Sequence, residues 1–599
     1  MRLRPWSLLI VLLAVPALAA PVPDWVKESD ALAQPMLRIR AQFYPEGAGR
    51  LGVEGVDDKV IDLGPRFSGR HREATEAAIK DLEAKLPTTK DPRVRQDIQI
   101  LVDAGRRQNE ASKLEDDLLL PFFMPARTAF GGIFALLDPR IPKERQAAAL
   151  VRLRRYAGLE PGSTPITELA KARTVEQLGN KKLLGPFKPE VEQALADSKR
   201  LVSGIGDLFK KYGIAGYEQP LAKLGEQMDA YDAWVKAEIL PRSRTESRIP
   251  PELYAVYLKN FGVQAPPEEV ARRALVTFAE LRNEMNALAP LVAKAQKLPP
   301  GGDYRSVLRA LKKKQLSNAD LMPLYSKRLA ALEEITRRER VATLPERKAV
   351  IRLASEAESA MQPAPHMNPG RLIGNTGEYG EFVLPLVTPG APGQKDLRTD
   401  DFTFDAATWT LTVHEARPGH ELQFSRMIEQ GVSIARGIFA MNSANVEGWA
   451  LYAESEMKPY LPLDGQLASL QHRMLRAARA YLDPMLNLGQ ISPEEAKRVL
   501  MEDVVLSEGM AKQEVDRYTF RAPGQATSYF FGYQSMLETR QRAELALGGR
   551  LDRQRFNDFV LAQGMLPPDL RLRAVMEEFV PAEKARAAAS APAPKSKTN

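Results

Sequence analysis

Along most of the chain, apolar residues recur at intervals of three and four, with alanine, leucine, glutamate, lysine and arginine between them. This is the signature of amphipathic helices. The pattern predicts helices over about 75–86, 92–116, 217–238, 267–293, 319–340 and 465–483. Proline and glycine punctuate them: Pro250-Pro251, Pro266-Pro267 and Pro299-Pro300-Gly301-Gly302 mark helix starts or loops. A mostly α fold follows, with a lobe boundary near residue 250 and no internal repeat. One stretch breaks the pattern. From Pro363 to Asp401, glycines and prolines surround the apolar run Glu381-Phe382-Val383-Leu384-Pro385-Leu386. It reads either as a short edge strand able to pair with an extended ligand or as a loop with a buried apolar plug, since Pro385 restricts ladder bonding on one side. Beyond Pro581 the alanine- and proline-rich tail is expected to be disordered.

A chain of 599 residues can bury a large core and form two or more lobes. Residues 1–20 carry Arg2 and Arg4, an apolar run from Leu8 to Val15, and Ala17-Leu18-Ala19-Ala20, the layout of a cleaved secretory signal peptide. That run is too short to span a bilayer, no later segment is apolar enough, and no cysteine exists to carry a lipid. A periplasmic or secreted protein without integral membrane association is expected. The formal charge of +8 falls to +6 when Arg2 and Arg4 leave, and runs such as Arg337-Arg338-Glu339-Arg340 interleave both signs. This argues for solvated helix faces and against a nucleic-acid partner. With no cysteine, any metal must be held by histidine and carboxylate.

Such a set stands at His414-Glu415-Ala416-Arg417-Pro418-Gly419-His420, followed by Glu447-Gly448-Trp449. Two of only five histidines fall in this seven-residue window. In the common zinc-peptidase helix the histidines are four apart and share a face. Six positions rotate the second ring by roughly 120°, so a regular helix cannot join them. Pro418 and Gly419 are suited to a local bulge that returns His420 to the face of His414. The bland alternative is a Pro-Gly helix stop with incidental histidines.

The motif His-Glu-Ala-x-Pro-Gly-His-x-x-Gln, with Glu447-Gly448-Trp449-Ala450-Leu451-Tyr452-Ala453-Glu454 and Pro523-Gly524-Gln525-Ala526-x-x-Tyr529-x-x-Gly532, resembles the bacterial domain-of-unknown-function family 885. That family is similar to the helical glutamate-zincin metallopeptidases, which include the angiotensin-converting-enzyme and oligopeptidase groups. The likeness runs from about 25 to 580, and its specific part lies between 365 and 535. It implies a large two-lobed, multi-helix fold with a small β element beside a central cleft. Residues 21–250 would form an N-terminal helical lobe, 251–580 a catalytic lobe with the zinc site, and 581–599 the tail. One position departs: after Arg476 and Asp483 a histidine is expected near 487, where this chain has Asn487, which bears on specificity.

Catalytic zinc needs three protein ligands and an open position. His414 and His420 supply two. Glu447 is the best third, because the gap from His420 leaves room for a second helix to return; its alternative role is a helix N-terminal carboxylate. Glu454 either fixes a ligand histidine's tautomer or faces solvent. Glu415, beside a ligand, suits a general base acting on a metal-activated water. Tyr529 and Tyr533 are candidate oxyanion donors or core residues, and the resemblance favours Tyr529. Arg517, with Tyr518, matches the family pattern and either binds a substrate carboxylate or pairs with Glu514. His472 is expected to be a surface or packed residue, and His71 and His366 carry no supporting context. The expected function is an exported zinc peptidase acting on peptide substrates. The rivals are a zinc amidase acting on non-peptide or cell-wall amides and a non-catalytic binding or scaffold protein.

Overall fold

The structure, a computed structural model, describes residues 22–362, 364–385, 387–388, 397–398 and 400–589. The expected signal peptide and the last ten residues of the tail lie outside these.

The described chain is mostly helical. In the N-terminal part the principal helices are α1 (Asp24–Phe43), α2 (Phe67–Lys85), α3 (Pro92–Leu118), α4 (Pro125–Phe134), α5 (Lys188–Tyr212) and α6 (Glu218–Trp234). The prolines act as read from the sequence. Pro92 and Pro267 open their helices, where a missing N–H costs nothing, and Asp91 caps the first of them by accepting from the Arg93 N–H. α7 (Pro267–Ala295) and α8 (Asn318–Arg338) follow, the latter capped by Ser317.

A small three-stranded sheet comes next, with β1 (Ala349–Leu353), β2 (His366–Asn368) and β3 (Gly380–Leu384) in the order β1-β3-β2. β1 runs parallel to β3 and β2 antiparallel to it. The apolar run around 382 is thus neither an edge strand nor a loop: it is the central strand, with all five residues buried. Pro385 falls just past its end, where no ladder bond is lost, and Leu386 lies outside the described residues. A two-residue antiparallel pair, β4 (Val387–Thr388) with β5 (Leu397–Arg398), follows it.

The remaining principal helices are α9 (Asp405–Glu415), α10 (His420–Gln430), α11 (Ser443–Met457), α12 (Leu463–Asn487), α13 (Glu508–Asp516), α14 (Thr527–Ala546) and α15 (Val580–Ala589). α7 packs along α12, and α11 along α14. One apolar core is built from residues 43–239 with Ala357 and Ala360, and another from residues 249–530. A third joins residues 33–102 to residues 424–574. Residues 581–589, expected to be disordered, are helical. Their alanines, lysine and arginine favour a helix, Val580 is buried, and Glu583 accepts from the Arg555 guanidinium at 2.9 Å. No described helix is long and apolar enough to cross a membrane.

Candidate metal centre

His414 stands in the last turn of α9, and His420 opens α10. The two histidines do not share one bulged helix. Ala416 leaves the helical region at φ −105°, ψ −106°, and the chain turns through Arg417, Pro418 and Gly419 before winding again. Gly419 makes this turn possible. A Cβ there would fall 2.1 Å from the His414 carbonyl oxygen and 2.2 Å from that of Val413, so only glycine lets α10 start against the end of α9. Trp449 pins the turn from α11, its indole N–H donating to the Pro418 carbonyl at 3.0 Å. A helix break, in place of the expected bulge, brings the two imidazole centroids to 4.7 Å.

Glu447 comes from α11. Asn442 caps that helix, which places Glu447 beyond its first turn and away from a simple dipole role. Its Oε2 lies 3.4 Å from His414 Nε2 and 3.3 Å from His420 Nε2. Ligand atoms of His414, His420 and Glu447 all lie within 4.8 Å of one another. The position of α11 rests on a glycine contact with α14. A Cβ on Gly532 would fall 1.9 Å from the Ala444 carbonyl oxygen, and one on Gly448 would fall 2.5 Å from the Gly532 carbonyl carbon. The two backbones therefore touch, and Tyr529, one turn before Gly532, sits beside the cluster with its ring stacked 6.4 Å from that of His414.

Glu454 is fully buried, and its Oε1 accepts the Nδ1–H of His414 at 2.7 Å while Oε2 accepts the Thr410 hydroxyl at 2.9 Å. That bond leaves the Nε2 lone pair of His414 facing Glu447, the tautomer a metal ligand needs. Burial alone would raise Glu454, but Arg476 and His414 outweigh it and hold the carboxyl at about 2. Burial likewise opposes ionisation of Glu447, yet His420 and His414 hold its carboxyl well below the usual range. Glu447 Oε2 and His420 Nδ1 are buried without a hydrogen-bond partner. Two imidazoles and an orphaned carboxylate oxygen at one point fit a divalent cation of the zinc type. Burial pushes Glu415 up to about 8, with His420 pulling it down and Glu447 pushing it further up. A cation in the cluster would supply the positive charge that favours its carboxylate form.

The cluster borders two spaces. Glu447, Arg517 and Tyr529 line a cavity of about 590 Å³ together with residues 122–127 and with Glu190, Asp197 and Leu201 of α5. His414, Glu415, Arg517 and Tyr529 line a smaller one of about 70 Å³. Arg517 is 3.8 Å from Glu514, whose carboxylate is instead held by Arg479 through two bonds of 2.7 Å. Tyr533 does not reach the site: it lies in the core a turn away from Tyr529, with the Arg473 guanidinium over its ring, and borders neither cavity. Asn487 is also interior. It donates to the Asp483 carboxylate and to the Tyr518 carbonyl, both at 3.1 Å, and Asp483 in turn accepts the Gly524 N–H that leads into α14.

Sequence reasoning missed part of the site. His472 is neither a free surface residue nor a packing residue alone. It borders the small cavity, its Nδ1 has no partner, and burial and then Arg476 push it down to about 3. His472, Arg476 and Arg479 stand at i, i+4 and i+7 of α12, one face of a helix that is otherwise largely apolar. That basic stripe was the available signal. His71 stacks edge-on against Phe43, and His366 lies in β2; neither joins the cluster.

Comparison with known proteins reports on the fold alone. A protein from Colwellia psychrerythraea described as a candidate lipoprotein superposes with a TM-score of 0.74 at 19% identity, covering 92% of this chain and 99% of that one. A candidate lipoprotein of unknown function from Shewanella oneidensis gives a TM-score of 0.68 at 18% identity, over 93% of this chain and 100% of that one. No curated protein matches the chain. The family model described as "bacterial protein of unknown function" matches residues 45–576, and this chain is therefore a member of the DUF885 family.

Proposed function

We propose that this chain is a zinc-dependent peptidase of glutamate-zincin type that hydrolyses peptide bonds. The observation that carries the reading is the convergence of His414, His420 and Glu447 within 4.8 Å, with Glu415 next to a ligand and Glu454 on the far nitrogen of His414. His414, His420 and Glu447 would hold the zinc, which when bound would supply Lewis acidity to a carbonyl and a water at that point. Glu415 takes the proton of the attacking water and passes it to the leaving amine. The Tyr529 hydroxyl donates to the oxyanion as it develops, from a ring stacked beside that of His414 with the Arg479 guanidinium 4.4 Å from its centre. Burial of these groups strengthens each electrostatic contact. The signal-peptide layout and the lipoprotein description of both structural relatives support an exported protein.

The test is metal analysis of the purified protein together with a peptide-library digest read by mass spectrometry. Stoichiometric zinc and chelator-sensitive cleavage support the reading. Zinc without cleavage of any peptide points to amides of another kind or to a binding protein.

A further inference from the structure

Resting on the peptidase reading, we infer that the 70 Å³ cavity beside His414 and Glu415 receives the C-terminal residue of the substrate, so that single apolar residues are removed from a free carboxyl end. Three observations lead there. The first is asymmetry of room. On the Glu447 side, the 590 Å³ cavity meets a space of about 1240 Å³ across Phe122, Phe123, Arg127 and Glu190, enough for many residues of chain. The space beside His414 and Glu415 is only about 70 Å³, a small fraction of the first, and so restricts how much of a substrate can lie there. An extended chain does not fit on both sides of the cluster.

The second is the wall. Phe402, Leu411, Leu475, Leu506 and Met510 border the small cavity and are all buried, so the side chain it accepts is apolar.

The third is charge. Arg476, Arg479 and Arg517 border the cavity together with Asp401, which Lys312 and Ser507 already hold, and Glu415, read above as the base; the two carboxylates that neighbour the arginines, Glu514 and Glu454, are also occupied. Glu514 takes both bonds from Arg479 and the Tyr518 hydroxyl at 2.8 Å, and Glu454 takes His414 and Thr410. Arg476 Nε and Arg517 Nη1 remain buried without an acceptor. Unmet donors on buried guanidinium groups are costly, and a carboxylate with two oxygens supplies what they lack. An α-ammonium is itself a donor and would leave the unmet donors of Arg476 and Arg517 without an acceptor, so the end bound there is the carboxyl end. Hydrolysis then breaks the last peptide C–N bond: the water oxygen joins the carbonyl carbon, one proton goes to the released α-amine, and the new carboxyl ionises.

The experiment compares peptides ending in free leucine with the same peptides ending in leucinamide. It also measures binding of N-acetyl-leucine and N-acetyl-leucinamide by calorimetry, before and after removal of metal by chelation. Expected are release of one residue from the free acid at least about a hundredfold faster than any cleavage of the amide, and an acid-over-amide binding preference that survives chelation. Arg517→Gln should cut that preference at least about tenfold, with Arg517→Lys restoring part of it and an unchanged unfolding midpoint in both variants. Internal cleavage, or equal cleavage of acid and amide, overturns the inference and leaves the peptidase reading standing. Absence of all cleavage with the binding preference intact sinks the peptidase reading and leaves the carboxylate pocket. Equal binding of acid and amide overturns the pocket whatever is cleaved, and marks it as a water-filled space.

Discussion

Gly532 lies so close to Ala444 that a Cβ on it would fall 1.9 Å from the Ala444 carbonyl oxygen. Helix α11 brings Glu447 and helix α14 brings Tyr529, so this contact sets the spacing between a candidate ligand and a candidate oxyanion donor. Gly532→Ala must push backbone against backbone, and overpacking of this kind costs about 1–3 kcal/mol. Chemical denaturation should show a loss in that range or above, with zinc affinity lowered in the folded fraction. Wild-type stability together with wild-type zinc affinity would mean that the helices have slack.

The His414, His420 and Glu447 cluster predicts about one zinc per chain. His414→Ala or His420→Ala should release it, measured by elemental analysis after dialysis. Glu454→Gln removes the charge that fixes the His414 tautomer and should weaken zinc binding by roughly 10–100-fold without abolishing it. Full zinc occupancy in both histidine variants would remove the assignment.

Glu415→Gln changes one buried carboxyl to its amide and leaves the three candidate ligands in place. Zinc content and fold should persist, while turnover of a cleaved peptide falls at least about a hundredfold, the scale of a lost general base. Near-normal turnover in a folded, zinc-loaded variant would assign water activation elsewhere.

The two tyrosines of α14 separate cleanly. Tyr529→Phe should lower kcat by roughly tenfold to a thousandfold with KM and zinc content nearly unchanged, because its hydroxyl bond strengthens only in the transition state. Tyr533→Phe, in the core beneath Arg473, should leave kcat alone. Reversed effects would make Tyr533 the donor and contradict its position.

Local signals carried far in this chain. The period of apolar positions gives α3, α6, α7, α8 and α12 nearly to their ends, because each helix is long and its face regular. The histidine pair, Glu415 and Glu447 were legible from residue type and spacing. Non-local features were not. β3 is central because residues 349–353 and 366–368 flank it, and nothing within 380–386 announces those neighbours. The break between α9 and α10 depends on Gly419 meeting two carbonyls, a contact hidden in the sequence behind a Pro-Gly pair that also suits a bulge. His472 read as a surface or packed residue on its own helix, and only the arrival of α9 beside it makes it part of a cavity.

One oxygen of Glu454 stands 2.7 Å from the ligand imidazole of His414 and 3.4 Å from the Arg476 guanidinium at the cavity wall. Its negative potential is divided between the two. An anion engaging Arg476 would return more of that potential to His414, and a cation held by the imidazole, as proposed above, would be bound more tightly. Thermodynamic linkage makes the coupling mutual: the cation must tighten the anion by the same factor. Filling the pocket and loading the metal are thus two measurements of a single coupling energy, transmitted through one carboxylate.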